Sequence, residues 1–223
     1  MAVYTKINKE DISIINKKFD IEKIISFQGI KKGIENTNYL LKSKNNKFIL
    51  TIFEKRVSNK EIPFFMKLMD QLNKSHINCP KPLKNNNGNY LISIKNKTAC
   101  IVSFLQGKDK DKLNLKNCFE VGKIIAQIHS ITRNIKISRK NSMGIKNLDA
   151  LLKSIKFKNN KFNNLEKFLK DNLKDIKKNW PKKLPNGIIH GDLFIDNIFF
   201  QNNKLSGVID FYFAANDYFM YEL

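Results

Sequence analysis

Arginine is almost missing from this sequence. Of its 41 basic residues only Arg56, Arg133 and Arg139 are arginine, although the formal net charge is +21. Nucleic-acid recognition favours the planar, bidentate guanidinium over the lysine ammonium. The charge alone therefore argues poorly for a nucleic-acid partner. Asn and Ile occur thirty times each and are inflated together with Lys. All three have A/T-rich codons, so a biased genome accounts for the charge, which can still draw in an anionic nucleotide. Cysteine is scarce as well. Cys79, Cys100 and Cys118 are widely spaced and odd in number, which argues against a disulfide framework and for reduced, cytosolic thiols. No apolar run approaches the ~18 residues of a membrane span, and Met1-Ala2-Val3-Tyr4-Thr5-Lys6 lacks an apolar signal core. There is no Walker Gly-Lys-Ser/Thr and no Gly-x-Ser-x-Gly elbow. No His or Cys pair has metal-ligand spacing.

What is present is one dense stretch. His190-Gly191-Asp192-Leu193-Phe194-Ile195-Asp196-Asn197-Ile198-Phe199-Phe200 leads through a polar turn, Gln201 to Lys204, into Leu205-Ser206-Gly207-Val208-Ile209-Asp210. Two apolar runs around a turn read as a hairpin. Closing it brings Asn197 and Asp210 to one site, with Asp192 on the loop before them. Phosphoryl transfer needs such a set: an acceptor for the attacking hydroxyl's proton, and oxygen ligands for the magnesium that neutralises phosphates. Asp192 is the candidate base, and Asn197 and Asp210 are the candidate metal ligands.

The 223 residues, 42% hydrophobic, suffice for one large or two small domains. Asn8 can cap a helix through Ile15, and Ile21 to Phe27 reads as a strand. The loop Gln28 to Asn38 carries Gly29 and Gly33 and can bring backbone amides to phosphates. Strands follow through Leu41 and over Lys47 to Phe53. Ser58 to Glu61 has capping-box spacing ahead of a helix with Phe64, Phe65, Leu68, Met69 and Leu72 on one face. Tyr90–Ile94 and Thr98–Phe104 form a second hairpin. The result is an α+β small lobe with a five-stranded antiparallel sheet, residues 1–106, and a mainly helical large lobe, residues 107–223, divided at the composition break that opens at Gly107 and runs to Lys110. In the large lobe, Phe119 to Ile131 reads as a buried helix, and Leu148 to Ile155 and Leu165 to Ile176 as amphipathic ones. His129 reads as a satisfied core histidine.

The spacing His-Gly-Asp-x-x-x-x-Asn, with Ile209-Asp210-Phe211 beyond it, resembles the aminoglycoside/choline kinase-like family, which has a two-lobed, protein-kinase-like fold. Gly33-Ile34-Glu35-Asn36-Thr37-Asn38-Tyr39, Phe48 to Glu54, Glu61-Ile62-Pro63-Phe64-Phe65, Cys79-Pro80-Lys81-Pro82 and Gly207 to Ala214 look like the homoserine kinases of that family, from Met1 to the last residue. The resemblance implies ATP as phosphoryl donor, Mg2+ dependence, L-homoserine as acceptor, a step in threonine biosynthesis, and a cytoplasmic enzyme with neither nucleic acid nor membrane as partner. It implies that His190 braces the catalytic loop. It places ATP against Gly33, Asn36, Thr37, Asn38, Thr51, Glu61, Ser103, Phe104 and Leu105, and the acceptor near Arg139 and Asp217.

Two departures stand out. Kinases of this fold commonly carry a strand lysine paired with a helix glutamate; here the strand position is Thr51. Lys55 or Arg56 from the strand end, or the loop amides, are candidates to replace it. Glu61 serves equally as the helix glutamate or as a capping-box residue. The chain also stops at Tyr221-Glu222-Leu223, in what reads as the first turns of a helix, where the resembled family continues with further helices. That predicts either a truncated large lobe with apolar faces left exposed, or an unusually small one. The alternatives are a kinase for another small hydroxylated cation, an inactive nucleotide-binding remnant, and a basic nucleic-acid-binding protein.

Overall fold

The computed structural model of the chain describes residues 3–155 and 163–223. Met1 and Ala2 of the N-terminal stretch discussed above lie outside them. Asn8 caps α1 (Lys9–Lys18): its side chain accepts from the Glu10 and Asp11 amides, and Asp11 accepts from the Asn8 amide. This reciprocal box satisfies the helix's first amides. The first strand begins later than its apolar run predicts. β1 is Ser26–Gly29, because Asn16 of α1 takes both backbone groups of Ile24, its amide at 2.8 Å and its carbonyl at 3.3 Å.

β2 (Thr37–Lys42), β3 (Lys47–Ile52), β4 (Leu91–Ile94) and β5 (Lys97–Ser103) complete a five-stranded antiparallel sheet, ordered β1-β2-β3-β5-β4. Side chains alternate across a strand, so the sheet feeds two cores. Leu41, Leu50, Ile52, Ala99 and Ile101 pack with Ile12 and Ile15 of α1. Cys100 and Val102 face the other way, onto α2 (Ile62–Lys74) with its buried Phe65, Leu68, Met69 and Leu72.

The capping box expected at Ser58 does not form. Glu61 occupies the cap position without a side-chain cap bond, and Pro63 sits in the first turn of α2. Proline has no amide donor and is tolerated there, whereas a helix begun at Ser58 would place it one turn deeper, where it breaks the ladder.

Beyond β5 the chain runs into α3 (Leu115–Thr132), capped by Asn114. Only one stripe of α3 is buried, around Ile124 and Ile128; Phe119 is 71% exposed, so the helix is amphipathic rather than buried all round. α4 (Leu148–Ser154) and α5 (Asn163–Asn179) follow. Then come β6 (Asn186–Ile189), β7 (Ile198–Gln201), β8 (Lys204–Val208) and β9 (Ala215–Tyr218). β7 and β8 make the expected hairpin, while β6 pairs antiparallel with β9. The sequence reading has neither β6 nor β9. Where it sees a helix beginning, the chain forms β9 and a single 3-10 turn, Phe219–Tyr221. The pairing with β6 claims the backbone that a helix would have used.

Candidate active site

β7 and β8 are joined by Asn202 and Asn203, both at positive φ, the conformation a two-residue turn with native twist requires. Ile198 lies opposite Val208, and the Ile209 amide donates to the Asn197 carbonyl at 2.9 Å. The hairpin therefore closes with Asn197 beside the segment that carries Asp210. Asn197 is buried in a 3-10 turn. Its side-chain amide donates to the Asp192 carbonyl at 2.8 Å and to the Asp192 carboxylate at 3.2 Å, which leaves the amide oxygen as its remaining acceptor. Asp210 adopts the left-handed conformation, φ 65 and ψ 56, which Asp tolerates better than most residues. Asp192, Asn197 and Asp210 thus stand together at one end of the hairpin.

Burial pushes the Asp192 carboxyl above its ordinary value, against the Asn197 hydrogen bond. Asp210 keeps solvent access, but protein crowds it on most sides. Desolvation, and the Asp192 charge after it, push its carboxyl up as well. A cation between the two carboxylates would relieve both.

His190 is buried beneath this group. Nε2 lies 2.8 Å from the Ile209 carbonyl and Nδ1 3.3 Å from the Asp192 amide. A carbonyl only accepts and an amide only donates, so the bonding assigns the proton to Nε2. Both ring nitrogens are spent on holding loop and hairpin together. Gly191 has φ +78, and a Cβ there would stand 2.9 Å from the Phe213 carbonyl oxygen. Only glycine fits. Its amide donates to Glu222 Oε1 at 2.9 Å, and Glu222 Oε2 lies 2.6 Å from His129 Nε2. Phe219 stacks on the His129 ring at 4.2 Å. Glu222 ties α3 to the catalytic loop and is a residue the sequence reading misses.

The nucleotide-side candidates divide into two sets. Gly33, at φ +98 with nothing near its Cβ position, lies in open space. Thr37 accepts from the Tyr4 and Thr5 amides and donates to Glu54 at 2.6 Å, so its hydroxyl is used within the sheet. Asn36 accepts from the Glu54 amide at 3.5 Å. The Thr51 hydroxyl donates to Asn38 at 2.8 Å. Glu61 pairs with Arg139 Nε at 2.8 Å rather than with a strand cation. Ser103 Oγ accepts from the Lys81 amide at 2.9 Å, and the Phe104 amide donates to the Lys47 carbonyl at 3.3 Å. Leu105 packs at Gly207, carrying the exit of β5 onto the hairpin.

Arg139 also donates to the Ala214 carbonyl at 3.2 Å and lies over the Phe65 ring. Two residues on, Asn141 donates to Asp217 at 2.7 Å. Asp217 belongs to β9 and not to a helix start, so the two acceptor-side candidates share one neighbourhood. Two further residues join the site. Tyr212 is half-buried, edge-on against Phe53 and Phe65, and ties the segment after Asp210 to the sheet. Arg56 pairs with Glu35 and lies over Phe213.

A sheet lobe joined to a catalytic hairpin bearing His-Gly-Asp, Asn and Asp defines a protein-kinase-like phosphotransferase. The model of the phosphotransferase enzyme family matches residues 26–223, and the chain belongs to that family. Among solved structures, an amicoumacin kinase in complex with AMP-PNP and Ca2+ superposes with a TM-score of 0.75 at 14% identity, covering 96% of this chain and 66% of its own. A microcompartment-associated aminopropanol kinase gives 0.73 at 16% identity, covering 96% and 71%. At that identity they establish the fold. Curated relatives are much nearer in sequence. The homoserine kinase of Bartonella tribocorum is 40% identical over all of this chain and 70% of its own length. That of Parvibaculum lavamentivorans is 38% identical over the same shares. The chain spans about 70% of the length of these relatives.

Proposed function

We propose that the chain phosphorylates the side-chain hydroxyl of L-homoserine with ATP, giving O-phospho-L-homoserine for threonine biosynthesis in the cytoplasm. One observation carries the reading: Asp192, Asn197 and Asp210 converge in a chain 40% identical throughout to a homoserine kinase. Asp192 accepts the proton of the acceptor hydroxyl, and the Asn197 amide holds its carboxylate in place. His190 fixes the loop that presents it.

Among the described residues no three His, Cys, Asp or Glu side chains group to hold a metal unaided. The Asp210 carboxylate and the Asn197 amide oxygen are a two-oxygen set. That fits Mg2+, which keeps water and phosphate oxygens as its other ligands. When bound there, Mg2+ neutralises charge on the nucleotide's phosphates. Residues 1–106 form the nucleotide lobe and 107–223 the lobe carrying the hairpin. The loop around Gly33 offers amides to phosphate. The backbone of Ser103, Phe104 and Leu105 meets adenine, and Asn36, Thr37, Asn38, Thr51 and Glu61 support these elements from within. Asp217 suits the acceptor's ammonium and Arg139 its carboxylate.

A coupled ADP-release assay over homoserine, choline and an aminoglycoside, with a no-acceptor control, tests the reading. Homoserine-dependent release is expected. Release that depends on choline or the aminoglycoside instead would reassign the acceptor.

A further inference from the structure

At the Thr51 position β3 offers no cation to a phosphate, and its one lysine, Lys47, lies at the other end of the strand over the Phe104 ring. Thr51 is 2% exposed and spends its hydroxyl on Asn38. Arg139, assigned above to the acceptor, pairs with Glu61 and donates to the Ala214 carbonyl. Arg56, beyond the end of β3, is placed differently. Its guanidinium carbon lies 3.8 Å above the Phe213 ring, on the segment that follows Asp210. It forms an ion pair with Glu35 of the loop that carries Gly33, and its side chain is 47% exposed. The charges of Asp192 and Asp210 both act on it. Stacking on an aromatic face leaves the in-plane N–H donors free at the guanidinium edge. Arg56 therefore stands between the glycine-bearing loop and the carboxylates of the hairpin, with Glu35 as an anionic partner in the gap.

We propose that Arg56 is the cation that grips the β- and γ-phosphates of the nucleotide, in place of a lysine on β3, and that Glu35 holds its guanidinium until phosphate displaces it. The proposal rests on the nucleotide-dependent reading above and adds a residue and an exchange to it. An exposed ion pair is weak. A polyphosphate brings more charge and a bidentate fit to the guanidinium fork, so the exchange favours nucleotide.

Calorimetry of Mg-ATP, Mg-ADP and AMP against the whole chain and its Arg56→Gln, Arg56→Lys and Glu35→Gln variants tests this. Arg56→Gln should weaken Mg-ATP roughly ten- to hundredfold, the span of one charge-assisted contact, and leave AMP unchanged. Arg56→Lys should fall between, because it keeps the charge and loses the fork. Glu35→Gln should tighten Mg-ATP, because the competing carboxylate is gone. Wild-type ATP affinity in Arg56→Gln, or an equal loss of AMP, overturns the proposal. If Arg56→Gln fails to fold, unchanged ATP affinity in both other variants overturns it. Arg56-dependent ATP binding without phosphorylation of homoserine rejects the acceptor and keeps the grip. Homoserine phosphorylation with unchanged kcat/KM in Arg56→Gln does the reverse, and a wild-type chain that binds no nucleotide overturns both.

Discussion

Asp192 is held by Asn197 and lifted above the ordinary carboxyl value by burial. The base role proposed for it requires the ionised form, so turnover should fall as pH drops through that raised value, higher than an unperturbed aspartate would place it. The kcat–pH profile reads this directly. Asp192→Asn should lose at least about 10²-fold in kcat, the lower end for a positioned base, with Mg-ATP binding nearly intact. A variant that keeps half the wild-type rate removes Asp192 from the role. Asp210 brings a full charge to the proposed magnesium, where Asn197 brings a dipole. Calorimetry should therefore show Mg-ATP affinity dropping further in Asp210→Ala than in Asn197→Ala; wild-type affinity in Asp210→Ala would take Asp210 out of the metal site.

The loop that carries Asp192 depends on elements distant in sequence. Glu222 receives the Gly191 amide and faces His129 of α3 from a side chain only 2% exposed. Burial pushes its carboxyl up, but the His129 hydrogen bond, the nearby His190 and the Gly191 amide outweigh that and hold it below its ordinary value. A lowered folded value contributes stability that is full above the unfolded value and is lost as pH falls through the folded one. Wild type should therefore lose stability in mild acid more steeply than Glu222→Gln. Glu222→Ala strands the buried His129 and frees the exposed Gly191 amide, and should cost about 1–3 kcal/mol, with kcat reduced more than KM for ATP. Urea unfolding at pH 7 and pH 4, beside steady-state kinetics, measures both. Identical acid profiles would remove the carboxylate from the loop's support. Gly191 and His190 were legible in the His-Gly-Asp spacing, but Glu222 was not, because its partners lie 31 and 93 residues away.

Across the molecule one apolar cluster joins sheet to hairpin: Phe65 and Met69 of α2, Cys100 and Val102 of β5, Ile124 and Ile128 of α3, and Val208 and Phe211 beside the site. Such continuity holds the segment after Asp210 at a fixed position relative to α2 and β5 of the sheet lobe, and an in-line transfer needs fixed positions of this kind. The net charge of +21 acts over the whole surface. It should speed capture of an anionic nucleotide and be screened by salt, whose Debye length falls from ~10 Å at 0.1 M to ~3 Å at 1 M. The Mg-ATP association rate in stopped flow should decline steadily across that range. A flat dependence would mean that the lysines lie too far from the cleft to steer.

The sequence by itself determined the hairpin, the five strands, and the gathering of Asp192, Asn197 and Asp210. Each rests on local spacing: alternation, helix caps, and a turn whose two asparagines accept positive φ. The start of α2 was equally local, since Pro63 marks it more firmly than Ser58 does. Tertiary structure decided the rest. It paired β6 with β9 where a helix had been expected, gave Glu61 to Arg139 across 78 residues, and set Arg56 over Phe213 above the site. No periodicity encodes such partners. They are chosen by which surfaces meet once the apolar faces are buried, and only the packed chain brings them within reach.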